Sequence, residues 1–267
     1  MVGFAGDAFA ATMSASIQAP WRWAAAGAVG GLFIGITLFA PASWLAAGIR
    51  AASAGHVQIH HSRGTVWSGE GELVLTGGAG SAQAVALPGL VRWKLRPAWS
   101  GFQIALASDC CTPQPLQIEA QWSGAVQIQN GQSHWPASLL TGLGTPWNTV
   151  APQGQLHLRT QDVRVVWNQG AKLQGQIQVD ALNIASRLST LPTMGSYRVT
   201  VQGGDAVKLQ LNTLQGALQL NGQGEWIANR LRFQGEATAA PDALDSLSNL
   251  LNIIGRRDGA RAVITVG

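Results

Sequence analysis

The sequence predicts an all-β body, an antiparallel curled sheet, sandwich or half-barrel with two short helices, preceded by one N-terminal transmembrane helix. Three observations carry this. After Ser53, apolar and polar residues alternate with period two in one segment after another, as half-buried antiparallel strands require. Glycine and asparagine recur between those segments at short intervals, where hairpins need turns. Ahead of them lies one long stretch, Trp23–Ile49, without a single charge.

The first division follows from that stretch: 1–22 is a short N-terminus, 23–45 a membrane helix, and 46–267 the β-rich remainder. The core Trp23–Ala40 is long enough to cross a bilayer as a helix. Trp21, Trp23 and Trp44 stand where interfacial aromatics belong, with Arg22 and Arg50 at the ends. A cleaved signal peptide competes, because Ala-Pro-Ala at Ala40–Ala42 fits a cleavage site. The apolar run exceeds an ordinary signal core and its first flank holds one arginine, which favours a retained anchor. Either reading carries the remainder across the membrane, with residues 1–22 as a cytoplasmic tail in the anchored case. Gly27, Gly31 and Gly35 recur every four residues and so share one helix face, which Gly30 widens. In lipid, helices associate where small residues let backbones approach, so this face is expected to pack against another membrane helix. The plainer account is that glycine is simply common in membrane spans.

In the body, "LQGQIQVDALNI" places Leu173, Gly175, Ile177, Val179 and Ala181 on one face and Gln174, Gln176, Gln178 and Asp180 on the other. The same alternation runs through "VRWKLR", "FQIALA", "YRVTVQG" and "VKLQLNTLQGALQLNG", giving about a dozen strands. The solvated faces are glutamine-rich, which accounts for charged residues making up only 11% of the chain. Glycines inside the long strands mark bends or bulges that let the sheet curl. Two helices interrupt the strands. "HWPASLLTGLG" has Pro136 to start it and Gly142 or Gly144 to end it. "APDALDSLSNLLNIIG" opens at Pro241 and Asp242, carries the stripe Leu244, Leu247, Leu251 and Ile254, and stops at Gly255.

The glycine-rich stretch Leu139–Leu156 raises the question of a phosphate loop. Such a loop needs glycines at a helix N-terminus and usually a lysine. Here Gly142 and Gly144 follow a helix and no lysine is near. The stretch reads instead as a helix stop and crossover, with Trp147 buried beneath it.

The search for chemistry yields no catalytic residues, no metal ligands and no cofactor site. His60 and His61 point to opposite faces of a strand, and His56 lies about 13 Å from His60 along it. No Gly-x-Ser-x-Gly or His-Glu-x-x-His occurs, and acids are sparse. A net charge of +4 is too mild to point to nucleic acid. Arg92, Lys94 and Arg96 share one strand face opposite Trp93 and Leu95; the face suits an anionic partner or simply discourages edge pairing. Cys110 and Cys111 are adjacent, and four states compete: a vicinal disulfide, two free thiols, bonds to another chain, or a metal site. An exported compartment favours oxidation.

Several long stretches, in order, carry a resemblance: "GTVWSGEGEL", "LPGLVRWKLRP", "WPASLLTGLGTPWNTVAPQGQL", "RLSTLPTMGSYRV" and "LSNLLNIIGRRDGARAVITVG". Together they resemble the type II secretion system protein N family from about Gly64 to the C-terminus. The resemblance implies a single-pass inner-membrane protein with its bulk in the periplasm, an accessory subunit of the machine that exports folded periplasmic proteins. It implies no enzyme activity and no active-site residues. The implied partners are other subunits of that machine and the secreted cargo, with self-association through the membrane helix as a further expectation. The last forty residues also resemble, more faintly, the end of AsmA-like envelope proteins, whose curled sheets handle lipid. That gives the alternative reading, which an open apolar trough would favour and a filled interior would not. Residues 1–18 resemble nothing in either family.

Overall fold

The computed structural model describes residues 21–167, 172–227 and 230–267; the expected N-terminal tail lies almost wholly outside them. Two units result, one ending at Phe39 and the other running from Ala40 to the C-terminus. In the first, α1 (Trp21–Leu38) is long and apolar enough to cross a membrane, and none of its residues is buried by the protein itself. The uncharged run does not continue as one helix to residue 45. It breaks before Pro41, which takes extended geometry at the N-cap of a separate helix, α2 (Ala42–Ala52), in the second unit. A proline imposes this break, because its own ring and the restriction on the preceding residue disfavour a continuous helix.

The second unit is one continuous antiparallel sheet, which decides among the sheet, sandwich and half-barrel expected from the sequence. Its first half contains β1 (Val57–Gly64), β2 (Ser68–Thr76), β3 (Ala84–Ala86), β4 (Val91–Ala98), β5 (Gly101–Ser108), β6 (Leu116–Gln121), β7 (Ala125–Ile128) and β8 (Gly131–Pro136). The second half contains β9 (Gln153–Val166), β10 (Lys172–Ala185), β11 (Gly195–Gln202), β12 (Val207–Gly216), β13 (Leu218–Ile227), β14 (Arg230–Ala239), β15 (Arg256–Asp258) and β16 (Arg261–Val266). Most neighbours in space are neighbours in sequence. The strands beyond the expected dozen are short: β3 adds to the far half of β2, and β15 borders β16.

At the centre the ladder forks. The end of β9 pairs with β7 (Val126↔Val165), while its start pairs with β8 (Ser133↔Leu158). Asp162 sits at the fork with φ 49°, and Gly175 opposite it on β10 has φ 83°. The β9–β10 register shifts between Gln174 and Gln176. A β-carbon on Gly175 would collide with the Asp162 backbone, so glycine is required there. This is the bend expected of in-strand glycines.

One face of the sheet is apolar and is covered in two places. Over the second half lies α4 (Leu244–Ile254), entered through a 3-10 turn, Pro241–Ala243, and left through extended Gly255. Leu247 and Leu251 are fully buried with Leu250 beside them, against Tyr197, Leu218, Ala237, Ala239 and Ala262. Three of those partners are alanines, which lets the helix sit close to the sheet. Over the first half, a 3-10 segment, Ala137–Leu143, brings Leu139 onto Leu87, Val91 and Cys111. Elsewhere aromatics cover glycines across a strand pair. Trp93 lies over its partner Gly69, and Phe233 lies over Gly222 and Gly224 of the neighbouring β13. A ring on a neighbouring strand thus supplies the apolar surface that the glycine lacks.

Two expectations are corrected. The Ala137–Val150 connection is not a crossover, because it joins β8 to β9 and these pair directly. Nor is Trp147 buried: it opens a four-residue helix, α3 (Trp147–Val150), and is 41% exposed. The cover it was expected to supply comes from Leu139 and Gly142 instead, with Gly142 too close to the Leu75 carbonyl for any side chain. Gly144, at φ 82°, does form the exit from the 3-10 segment.

These contacts set an order of costs. Leu251→Ala is expected to destabilise the body by about 2–5 kcal/mol through the cavity it leaves. Trp147→Ala should cost well under half of that, since much of its ring is already in water. Urea unfolding of the full chain in detergent micelles, monitored in the far ultraviolet, measures both.

Candidate functional site

The polar face of the sheet is where groups capable of recognition gather. Alternation puts every second residue on it, and the register aligns those residues into rows. In one row, Arg159, Gln178, Thr200, Gln210, Gln223 and Gln234 are successive cross-strand partners from β9 to β14. In the next, His134, His157, Asp180 and Arg198 follow one another from β8 to β11. Amide and hydroxyl groups dominate, so this surface offers directional hydrogen bonds with little net charge.

Asp180 is the exception to its expected exposure. It is 6% exposed although it lies on the polar face. Two neighbours cover it. Arg198 donates from Nε to Oδ1 at 2.6 Å and from Nη2 to Oδ2 at 2.9 Å, and Gln178 Nε2 reaches both carboxylate oxygens at 3.1 Å. The Arg198 hydrogen bonds, with its charge and Gln178 adding to them, hold the Asp180 carboxyl below the usual aspartate range despite its burial. Beside it, the rings of His134 and His157 meet edge to face, with centroids 4.3 Å apart. Desolvation first, and then the neighbouring His134, lower the His157 pKa; Asp180 opposes them.

In the first half, β4 behaves as its sequence suggests. Arg92, Lys94 and Arg96 are exposed, while Trp93 is 3% exposed and donates from Nε1 to the carbonyls of Thr65 and Val66. Arg92 is not simply a free charge, because it bonds Asp109 and stands 3.9 Å from Glu70. A shallow hollow of about 460 Å³ adjoins Arg92 and Lys94. A larger open notch of about 880 Å³ lies beside the fork, between Pro113–Gln117, Gln129–Gln132 and Arg159–Asp162. Its lining mixes glutamines and Asn130 with the charged Arg159 and Asp162 and the apolar Pro113, Pro115 and Leu116.

Cys110 and Cys111 are joined to each other in the turn after β5, with Cys111 buried in the smaller apolar cluster. Ser108 Oγ lies 3.3 Å from Cys110 Sγ. A loop this short gains only about 1 kcal/mol from chain entropy. Of the histidines considered from the sequence, His56 stands apart, whereas the His60 and His61 rings meet edge to face with centroids 6.4 Å apart. His56 Nδ1 meets the Thr76 carbonyl and His60 Nε2 meets Gln58 Oε1. His61 takes φ 51° in a β-bulge, so it does not obey simple alternation. Among the described residues, no group of three or more His, Cys, Asp or Glu side chains could hold a metal. Sequence reasoning missed the His134–His157 and Asp180–Arg198 pairs, because alternation gives each residue's face but not its partner across the strand.

Fold and surfaces together define the class: a long open antiparallel sheet that follows one apolar helix in the sequence, with covered apolar clusters and a hydrogen-bonding polar face. The family model for the type II secretion system (T2SS), protein N, matches residues 55–265. The chain belongs to that family, whose members are components of the secretion apparatus. No curated protein and no solved structure matches the chain.

The Asp180 environment has a pH consequence. The folded carboxyl titrates lower than the unfolded one, so its contribution to stability is full above the unfolded value, about 4, and is lost as pH falls through the folded value. His157, also depressed, has the same sign and begins to act below about 6.5. Unfolding midpoints should therefore fall on acidification in both windows. Asp180→Asn should lower stability at neutral pH by about 1–3 kcal/mol and flatten the lower window. His157→Gln should flatten only the upper one. Thermal unfolding across a pH series reads all three outcomes.

Proposed function

We propose that the protein is an accessory inner-membrane subunit of the type II secretion system, supporting export of folded periplasmic proteins across the outer membrane. The match of residues 55–265 to the protein N family carries this reading. In it, Trp21–Leu38 is the single membrane pass and the sheet stands in the periplasm, its polar face meeting other subunits or cargo. Neutral amide rows suit such a role, because they bind by geometry and resist salt better than exposed ion pairs do. The chain acts by holding partners and carries out no chemistry of its own. The alternative, lipid carriage along an apolar trough, has less support. The two apolar clusters are separate, one under the 3-10 segment and one under α4.

Deletion of the gene tests this. Type II cargo should accumulate in the periplasm and fall in the medium, and the intact gene should restore it. Unchanged secretion with altered outer-membrane lipid would favour the lipid reading instead.

Within this proposal the glycine face of α1 meets a second copy or another inner-membrane subunit. Nothing in the chain itself approaches Gly27, Gly31 or Gly35 within 4 Å of an added β-carbon. Gly31→Ile should leave insertion intact and reduce association several-fold, because a branched side chain holds the backbones apart. Leu32→Ile should do little. A membrane association assay and co-purification from detergent distinguish the two.

A further inference from the structure

We propose that one rim of the sheet, a row of tryptophan-bearing hairpin tips, rests in the interface of the bilayer that α1 crosses. Strand direction alternates, so the turns after β1, β4, β6 and β9 all fall on one rim. The tripeptide Trp-Ser-Gly stands at three of them, as Trp67–Gly69, Trp99–Gly101 and Trp122–Gly124; Trp167 ends β9 at the next. Trp99 is fully exposed, and Trp122 and Trp167 are 67% and 58% exposed.

The tips form a connected row. The Leu95 amide bonds the Trp67 carbonyl at 2.7 Å, Trp122 bonds Ser100 at 2.9 Å, and Trp167 bonds Gly124 at 3.4 Å. The rings continue the link, with Phe102 between Trp67 at 6.3 Å and Trp122 at 4.8 Å. The turns themselves need the glycines, since Gly101 and Gly124 have positive φ, but nothing in turn geometry needs the tryptophans. A single exposed tryptophan is ordinary. Three exposed on consecutive tips, beside half-buried Trp67 on the first, require a different account.

The identity of the occupant follows from where the chain enters. The body's first residue lies on this same rim: the Val66 amide bonds the Ala40 carbonyl, and Pro41 bridges Thr65. Trp44, 57% exposed, is in the first turn of α2 beside them. Only Phe39 separates Ala40 from the end of α1. In sequence, the rim thus follows a helix apolar enough to span a bilayer after a single residue. Indole rings concentrate at the headgroup level, where an apolar body and a polar N–H are both accommodated. The three Trp-Ser-Gly tips carry no charge of their own. Arg63, Arg96 and Arg164 stand exposed three or four residues before Trp67, Trp99 and Trp167, and long side chains of this kind extend toward lipid phosphates. Among the described residues, the exposed tryptophan on the opposite rim is Trp147, in the connection from β8 to β9.

The proposal rests on α1 being a membrane anchor, and its test separates the two. The full chain with Trp21→Phe and Trp23→Phe, which silence the helix, is reconstituted into phosphatidylcholine vesicles containing brominated lipid. The expected result is strong quenching of indole fluorescence, greater for bromine near the headgroup than near the chain end. Adding Trp99→Phe, Trp122→Phe and Trp167→Phe should cut that quenching at least twofold. Trp147→Phe should leave it unchanged. A chain washed from the vesicles by alkaline carbonate would overturn the anchor and the rim together. A chain that stays with the vesicles while iodide, and not bromolipid, quenches the rim would overturn the rim alone. Protection of the rim from both quenchers would assign it to a second copy or another protein and would equally overturn the proposal.

Discussion

An open sheet satisfies its backbone along the ladders but leaves one apolar side-chain face that must find cover. That constraint organises the molecule. At one end the cover is α4, drawn close by Ala237, Ala239 and Ala262 and fixed by Leu247 and Leu251. At the other it is the 3-10 segment carrying Leu139. Between them the sheet bends on its own backbone at Asp162 and Gly175, where one strand changes partner from β7 to β8. Where neither element reaches, single rings lie over glycines, as Trp93 does on Gly69.

The uncovered face takes its character from what remains. With so few charged residues in the chain, its rows are built from amides and hydroxyls. Among the described residues, the one well-covered ion pair, Asp180 with Arg198, is tolerated because Gln178 joins Arg198 in satisfying the carboxylate. The edges are managed as well. α2 packs along β1, and short β15 closes the other side beside β16. On the proposed arrangement, this combination leaves the polar face and the rim opposite the tryptophan tips to meet other components of a secretion apparatus.

The sequence by itself determined the class of fold, the anchor-like helix and the family. All three rest on local or collinear signals: period-two alternation, an uncharged run, and long family-like stretches in order along the chain. It also determined the faces of β4, where Arg92 and Trp93 fall on opposite sides as alternation demands. It placed the amphipathic C-terminal helix, and it marked Gly175 as a bend. Tertiary structure alone decided which strands pair and how far each is shifted. A side chain's face repeats every two residues and is the same for many possible partners. For that reason the His134–His157 and Asp180–Arg198 pairs could not be read from the sequence, and Asp180 was assigned to water although its neighbours across the ladder bury it. Trp147 failed for a related reason. Hydrophobicity says that an indole prefers cover, but whether cover lies within reach depends on where the 3-10 segment and Pro146 aim the chain, and Leu139 and Gly142 had already taken the place against β2.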